Sequence, residues 1–255
     1  MPEDWSARYY LEPAVAYVRG AAIQAAANGG KIVSRDPEIA GREFLLEPEL
    51  TAGPLELLED AQIDAILSAG REAGLKLYRF KNSHDTLPRI QRSLGLLQGL
   101  EFRSLLDVGS GRGVFLWPFL EHFPAVPVTT LDLLPERIEL YETARLGGLE
   151  RLHGMTGNLC APDLPAGAFD VVTLLEVLEH IPEVQRAVTN AVRLARKYVL
   201  VSVPSKPDEN PEHIHLLTRE KLTELFGNAG CESLHFSGVP NHLIMLAALN
   251  PKENE

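Results

Sequence analysis

The chain has 255 residues, of which 45% are hydrophobic and 23% charged, and this composition is ordinary for one large globular domain or for a core domain with an appendage. The formal net charge of −11 argues against broad, sequence-independent binding to nucleic acid, because such binding rests on Lys and Arg that neutralise phosphates. With only two cysteines, a disulfide framework and a cysteine metal site are excluded. The N-terminus is acidic, unlike a signal peptide, and no apolar run reaches the ~20 residues of a membrane-spanning helix. We therefore predict a cytoplasmic protein without an integral membrane segment.

The first 98 or so residues predict a helical region. Apolar residues recur at helical spacing in 9–28, and again in 54–73. Residues 75–80 form a short segment that could be extended, and residues 88–100 predict a third helix. We therefore place a domain boundary at 98, with an N-terminal helical region in 1–98 and an α/β core in 99–255.

The core begins with the stretch L-L-D-V-G-S-G-R-G, residues 105–113. Residues 104–108 are apolar and bounded by a turn signal, which predicts a buried strand, and residues 114–122 predict a helix. Glycine at every second position of the turn permits positive φ and close approach of a ligand. Strand, glycine turn and helix are typical of the nucleotide-binding corner of a doubly wound α/β fold. A tight turn without a ligand is the alternative interpretation.

Strands and helices alternate through the rest of the chain. Strands are predicted at 126–133, before Gly157, at 168–175 and at 197–204, and helices at 135–146, 183–196 and 218–230. The segments 231–238 and 242–249 predict a closing antiparallel pair. The second strand ends in Asp132, where a carboxylate can accept two hydrogen bonds from a ribose diol.

Four stretches in this order resemble the class I S-adenosylmethionine-dependent methyltransferases, above all the branch that includes ubiquinone-biosynthesis O-methyltransferases. They are L-L-D-V-G-S-G-R-G, L-D-L-L-P-E-R, G-N-L-C-A-P-D-L-P-A-G-A-F-D-V-V and L-L-E-V-L-E-H-I-P. The resemblance covers about residues 102–250. It implies an α/β fold with a Rossmann-like seven-stranded sheet and one antiparallel edge strand. It also implies that the N-terminal helical region forms a cap over the methyl acceptor, for which a purely structural helical layer is the alternative.

The resemblance further implies an S-adenosylmethionine site at the first strand. Asp107 would orient the methionyl end of the cofactor, directly or through water. The glycines of the turn would admit that end to the backbone; they are Gly109, Gly111 and Gly113.

The later strands would complete this cofactor site. The resemblance implies that Asp132 binds the ribose hydroxyls and that Leu133 lies against adenine. Asn158 stands where the family usually has an acid facing the adenine amine, and its carbonyl oxygen can still accept that hydrogen bond. Leu159 follows it in the same site, and Leu175 borders the region of methyl transfer.

The stretch E-V-L-E-H carries a possible metal site. If it forms one helical turn, Glu176, Glu179 and His180 share a face, and two carboxylates with an imidazole suit a divalent metal. This resembles the small-RNA 3′-terminal 2′-O-methyltransferases, which chelate a metal with E-x-x-E-H and a later histidine, a place that His213 would take. A metal-free loop organised by the same residues is the alternative.

The candidates for the catalytic group are His180, His215 and Glu176. For the two histidines the reason is that an imidazole, which titrates near neutral pH, is a natural base for a hydroxyl acceptor. We predict an S-adenosylmethionine-dependent methyltransferase that acts on a small-molecule acceptor, most readily on oxygen. The alternatives are a metal-assisted RNA ribose 2′-O-methyltransferase, which the acidic charge disfavours, and a non-catalytic cofactor-binding protein.

Overall fold

The computed structural model describes Trp5 and residues 9–82, 87–207 and 209–249. In these residues the α-helices are α1 Leu11–Ala27, α2 Pro48–Thr51, α3 Asp60–Glu72, α4 Pro88–Gln98, α5 Leu116–His122, α6 Pro135–Leu146, α7 Val184–Leu194 and α8 Arg219–Asn228. The strands are β1 Leu105–Val108, β2 Val128–Asp132, β3 Leu152–Thr156, β4 Phe169–Leu175, β5 Ala195–Pro204, β6 Ser233–Val239 and β7 His242–Ala248. Short 3₁₀ turns cover Leu55–Leu57, Leu77–Phe80 and Leu178–His180.

The strands form one seven-stranded sheet in the order β3-β2-β1-β4-β5-β7-β6. Strand β1 pairs in parallel with both β2 and β4, and β4 pairs in parallel with β5. Strand β7 runs antiparallel to β5 and to the edge strand β6. The predicted α/β class, the seven strands and the antiparallel pair at one edge are confirmed.

One predicted helix of the N-terminal region is wrong. The helix expected over 54–73 is interrupted, because the backbone is extended at Leu58 and Glu59, and α3 starts only at Asp60. Glu59 forms a capping box with Gln62, which satisfies backbone N–H groups at the start of α3 and so favours a new helix there. The segment 75–80, which could have been extended, contains a 3₁₀ turn.

The chain divides into two compact units that cut across the predicted boundary at 98. Unit 1 comprises residues 1–84, 112–125 and 134–154, and unit 2 comprises residues 85–111, 126–133 and 155–255. Helices α5 and α6 thus belong with the N-terminal region, whereas α4 belongs with most of the sheet.

Unit 1 depends on a close crossing of α1 and α6. A Cβ atom added at Gly20 would lie 1.8 Å from the backbone oxygen of Thr143, and one added at Gly147 would lie 1.8 Å from the backbone oxygen of Ala16. The two backbones can approach this closely only because both positions lack a side chain. On another side of α1, Gly70 of α3 makes room for Val18 in the same way.

Aromatic rings continue the core of unit 1. Ring centroids are separated by 5.3 Å between Tyr17 and Phe80, 5.1 Å between Phe80 and Trp117, and 5.5 Å between Trp117 and Tyr141. The tilted and edge-on contacts are the arrangements that aromatic pairs prefer. This row of rings joins α1, the 3₁₀ turn at Leu77–Phe80, α5 and α6.

A large apolar core of unit 2 lies against one face of β4 and β5, since it takes alternate residues of each strand. Apolar side chains of α7 and α8 pack there, among them Val188 and Phe226, both fully buried. A buried carboxylate, Asp170, holds the start of β4, since it accepts hydrogen bonds from the backbone N–H of Arg103 at 2.8 Å and from the guanidinium of Arg196 at 2.7 Å. None of the described helices combines the length and the apolar character that crossing a membrane would take.

Candidate functional site

The ends of β1, β2 and β4 bring the predicted cofactor residues of unit 2 to one edge of the sheet. These strands are parallel, so their carboxyl ends meet at the same edge. The turn after β1 begins at Gly109, which has φ of +65°, and a Cβ there would lie 2.9 Å from a methyl carbon of Val177. Gly111 also has positive φ, +60°. The turn therefore needs glycine both for its backbone conformation and for the space beside Val177.

Asp107 is a buried carboxylate just before this turn. Its Oδ1 accepts a 2.7 Å hydrogen bond from the hydroxyl of Thr173, whereas its Oδ2 accepts none from the described residues. Burial raises the pKa of Asp107 to about 6; the hydroxyls of Ser110 and Thr173 offset the rise only in part, and the nearby Asp132 adds to it. An acceptor oxygen left open inside the protein fits the cationic amino group of the methionyl end of S-adenosylmethionine.

Asp132 and Leu133 stand at the end of β2 with opposite exposure. Asp132 is buried, and its backbone oxygen accepts a hydrogen bond from Gly157 at 2.9 Å. Leu133 is 63% exposed, a high value for an apolar side chain that directly follows a buried strand. An adenine ring lying on Leu133 would cover it, which agrees with the role that the resemblance implied; both roles remain predictions.

Asn158 and Leu159 follow β3. The side-chain oxygen of Asn158 accepts the backbone N–H of Cys160 at 2.8 Å, so part of its capacity to accept hydrogen bonds is spent in this local turn. The remaining lone pair and the amide group can still contact a ligand. Leu159 is buried in the core of unit 2, which leaves its backbone, rather than its side chain, for the expected contact.

Gly113, the third glycine of the turn, lies in unit 1. Its φ is +83°, and a Cβ there would lie 2.3 Å from the ring of Trp117. The indole N–H of Trp117 points to the backbone oxygens of Arg79 at 3.0 Å and Arg112 at 2.9 Å. Packing in unit 1 therefore explains this glycine without any ligand, and its role toward the cofactor remains a prediction.

Glu176 does not share a helical turn with Glu179 and His180. It directly follows the half-buried Leu175 and has φ of +59°, and the 3₁₀ turn starts only at Leu178. Its carboxylate accepts a 2.5 Å hydrogen bond from Ser202 and lies 3.1 Å from Nε2 of His242. The expected common face of the three residues is therefore absent, because the left-handed backbone of Glu176 turns it away from the helical path.

Glu179, His180 and His213 form a cluster whose possible ligand atoms all lie within 4.8 Å of one another. Backbone N–H groups of Ile214 and His215 donate to the carbonyl of Glu179, at 3.0 and 3.3 Å, and so attach the later segment to the 3₁₀ turn. Nδ1 of His180 donates to the carbonyl of Glu212 at 3.0 Å. This leaves Nε2 with its lone pair for a metal, the usual arrangement of a histidine ligand.

His215 lies outside the cluster. Its Nε2 is 3.0 Å from the carbonyl oxygen of Ile181, and a carbonyl can only accept, so Nε2 carries the hydrogen. The lone pair of His215 is then on Nδ1. The resemblance pointed to His213, not His215, as the later histidine, and it is His213 that the structure brings to Glu179 and His180.

His242 is a functional candidate that sequence reasoning missed. It starts β7, pairs with Pro204 in the β5–β7 ladder and reaches the carboxylate of Glu176 from there. The predicted closing pair of strands was the signal that could have found it, because a strand beside β5 brings its first residue to the same sheet edge as the end of β4.

Unit 1 holds a cavity of about 300 Å³ between α1, α6 and the loop of residues 32–39. Charged side chains in its lining pair with each other: Lys76 with Asp36 at 2.6 Å, and Arg35 with Glu139 at 3.6 Å. Burial raises the pKa of Tyr17, which also lines the cavity, and Arg79 counters part of that rise. The lining is therefore mixed, with apolar walls and balanced charges.

Comparison with known proteins identifies the family. The model of a family described as a methyltransferase domain matches residues 76–235, which is more than half of the chain. The chain belongs to this family. The recognition made from the four sequence stretches is confirmed.

Curated relatives point to the expected branch over a limited length. A ubiquinone biosynthesis O-methyltransferase of Pseudomonas paraeruginosa is 28% identical over 117 residues, which are 46% of this chain and 50% of that protein. The chain spans about half the length of the curated relatives it matches. The similarity therefore supports the family more than any particular acceptor.

Solved structures show the same fold at low identity. An O-methyltransferase family protein of Burkholderia thailandensis has a TM-score of 0.53 and 18% identity, with 73% of this chain and 61% of that chain covered. A SAM-dependent methyltransferase of Aquifex aeolicus has a TM-score of 0.51 and 18% identity, with 64% and 94% covered. At such identity the likeness concerns the fold alone.

Proposed function

We propose that this methyltransferase transfers the methyl group of S-adenosylmethionine to a hydroxyl oxygen of a small molecule. The observation that carries the proposal is the cluster of Glu179, His180 and His213 beside the sheet edge that holds the cofactor residues. Oxygen-rich acceptors, such as a catechol, are ligands that a divalent metal held by carboxylate and imidazole would bind. The relatives named as O-methyltransferases support the same acceptor atom.

Methyl transfer from a sulfonium is an in-line displacement, so the protein contributes mainly by binding and orienting the two reactants. Asp107 would hold the cationic amino group of the cofactor through Oδ2, and Asp132 would hold the ribose hydroxyls. Both carboxylates are buried, which strengthens their interaction with a positive or hydrogen-bonding group. The cofactor would thereby present its methyl group beyond the end of β4.

The cofactor assignment is tested with Asp132→Ala. We expect this variant to lose binding of S-adenosylhomocysteine in a calorimetric titration, because the ribose diol loses its acceptor. Asp163→Ala, at an exposed position, is the matched control and should bind as the wild type does. Micromolar binding retained by Asp132→Ala would refute the role of this carboxylate.

We propose further that Glu179, His180 and His213 bind a divalent metal. The donor set fits: one buried carboxylate and two imidazoles suit Mn, Fe or Zn, and the hydrogen bond from His180 to Glu212 fixes the tautomer that leaves Nε2 for the metal. Such a metal, when bound, would polarise the acceptor hydroxyl as a Lewis acid. The three side chains would hold it, and the backbone bonds between 179 and 214–215 would keep them together.

Titration of Mg, Mn and Zn salts into protein saturated with S-adenosylhomocysteine tests this site. We expect saturable binding that weakens at least about tenfold in His180→Ala and in Glu179→Gln, the latter chosen because it keeps the volume of a buried side chain. Glu183→Gln, on an exposed carboxylate of the same segment, is the control. Equal heats in all four proteins would show that the cluster only organises the loop.

An RNA ribose acceptor would use the same cluster, since a terminal diol chelates as a catechol does. The net charge of −11 disfavours it. Methylation of catechol without a gel shift of a short RNA at physiological salt supports the small-molecule acceptor, and the reverse pattern supports RNA.

We also propose that residues 1–98 form a cap that selects the acceptor. A cytoplasmic location likewise remains a proposal. The cavity of unit 1, with Tyr17 in its wall, supports the former. Tyr17→Ala should raise the KM for catechol while the Kd of S-adenosylhomocysteine stays the same. An unchanged KM would leave this region a structural layer.

A further inference from the structure

The residue after β4 has a strained backbone that the surrounding contacts hold in place. Glu176 has φ of +59°, a conformation that costs a non-glycine residue free energy. Its backbone N–H donates to the carbonyl of Ser202 at 2.9 Å, which continues the β4–β5 ladder through the strained residue. Such strain concentrates at sites where a side chain must point in one direction.

Both oxygens of the Glu176 carboxylate are held by side chains of neighbouring strands. The hydroxyl of Ser202 donates to Oε1 at 2.5 Å, and Nε2 of His242 lies 3.1 Å from Oε2. Nδ1 of His242 lies 3.1 Å from the carbonyl oxygen of Pro240, so Nδ1 carries a hydrogen. Nε2 of His242 therefore faces the carboxylate of Glu176, whereas Nδ1 faces the backbone.

We propose that Glu176 accepts the proton of the acceptor hydroxyl during methyl transfer, and that His242 is the positioning residue that orients its carboxylate. The inference rests on the proposed function, since it presumes a hydroxyl acceptor. Each carboxylate oxygen keeps a second lone pair beside its hydrogen bond, so a proton can still be received. The Glu176 side chain is 25% exposed and that of His242 20%, so the proton can afterwards pass to solvent.

The acceptor's O–H bond breaks and its proton forms an O–H bond with the Glu176 carboxylate, while His242 keeps the hydrogens that it already carries. The oxygen's electron pair forms the new O–CH₃ bond. The CH₃–S bond breaks, its electrons remain on sulfur, and the sulfonium becomes the neutral thioether of S-adenosylhomocysteine. The positive charge of the sulfonium is thus replaced by the proton that the carboxylate gains.

Steady-state kinetics with catechol and 4-nitrocatechol test the proposal on the full chain. Glu176→Gln should lower kcat for catechol by about 10²–10⁴-fold, with an unchanged Kd for S-adenosylhomocysteine. The loss should be smaller for 4-nitrocatechol, because its more acidic hydroxyl needs less help to lose a proton. His242→Ala should lower kcat about tenfold, and His242→Gln, which keeps an N–H donor for the carboxylate, should recover part of that loss.

The controls are Glu232→Gln and His235→Gln, two exposed positions at the β6–β7 hairpin, and both should behave as the wild type does. A kcat of Glu176→Gln within twofold of the wild type, or equal losses on both catechols, would overturn the proposal. If the wild type methylates neither catechol, the proposed acceptor class fails. In that case the ¹⁵N spectrum of the His242 ring tests the contact between His242 and Glu176. The Nε2 resonance should shift in Glu176→Gln, and an unchanged resonance would overturn the inference.

Discussion

At the scale of single residues, Asp107 is the clearest case of a carboxylate whose surroundings disfavour its charge. Burial raises its pKa to about 6 in the folded protein, from about 3.8. Between these two values the folded state binds more protons than the unfolded state does. The free energy of unfolding that this group contributes is therefore highest at low pH and is lost as the pH rises from about 4 to about 6.

The variant Asp107→Asn should lack this pH dependence, because an amide does not titrate. We expect the free energy of unfolding of the variant, relative to the wild type, to rise by about 2–3 kcal/mol between pH 4 and pH 7. Urea unfolding curves of both proteins without cofactor, measured at each pH unit, give the difference. If the two pH profiles run parallel, Asp107 has no raised pKa in the folded protein.

Asp107 could be recognised from the sequence, because an acidic residue between a strand and a glycine turn is a local pattern. Glu176 and His242 differ in this respect. The residues around Glu176 do not predict its left-handed backbone. This conformation follows from the hydrogen bonds of Glu176 to β5 and from the packing of the segment after it. The contact with His242 depends on the register of β7 against β5, a long-range property that periodicity does not determine.

At the scale of elements, the crossing of α1 and α6 depends on glycine. Gly20→Ala should lower the free energy of unfolding by about 1–3 kcal/mol, because its Cβ would overlap the backbone oxygen of Thr143. Gly95→Ala is the matched control, since Gly95 lies within α4 and a Cβ there meets nothing within 4 Å. That control should be stabilised by about 0.5–1 kcal/mol. Thermal or urea unfolding separates the two, and equal shifts would contradict the close crossing.

The order of core elements was predictable because each strand is a short apolar run and each helix has its own stop signal. The region before the core was harder. The run of apolar residues across 54–73 keeps helical spacing, but Pro54 and Glu59 each start a separate turn, so the backbone breaks between them. Likewise 75–80 is apolar enough for a strand, yet no partner strand lies beside it in the described sheet. Pairing, more than propensity, decides such cases.

At the scale of the whole molecule, both thiols are protected by packing. Cys160 and Cys231 are buried in unit 2, and burial raises the pKa of both, that of Cys231 to about 11. A thiol reagent needs both access and thiolate. We expect the folded protein at neutral pH to react at least about a hundredfold more slowly than the urea-unfolded chain, as followed by absorbance of the released reagent. Fast labelling of one thiol before unfolding would show that its surroundings open locally.

The packing of Trp117 against Gly113 also gives the molecule an optical reporter. Trp117 is fully buried, and the chain has only one other tryptophan, Trp5, so Trp5→Phe would leave a single indole emitter. Its emission should be blue-shifted, as in an apolar solvent, and should move to longer wavelength when unit 1 unfolds and water reaches the ring. Opening of unit 1 alone could then be followed in a cuvette, without a label.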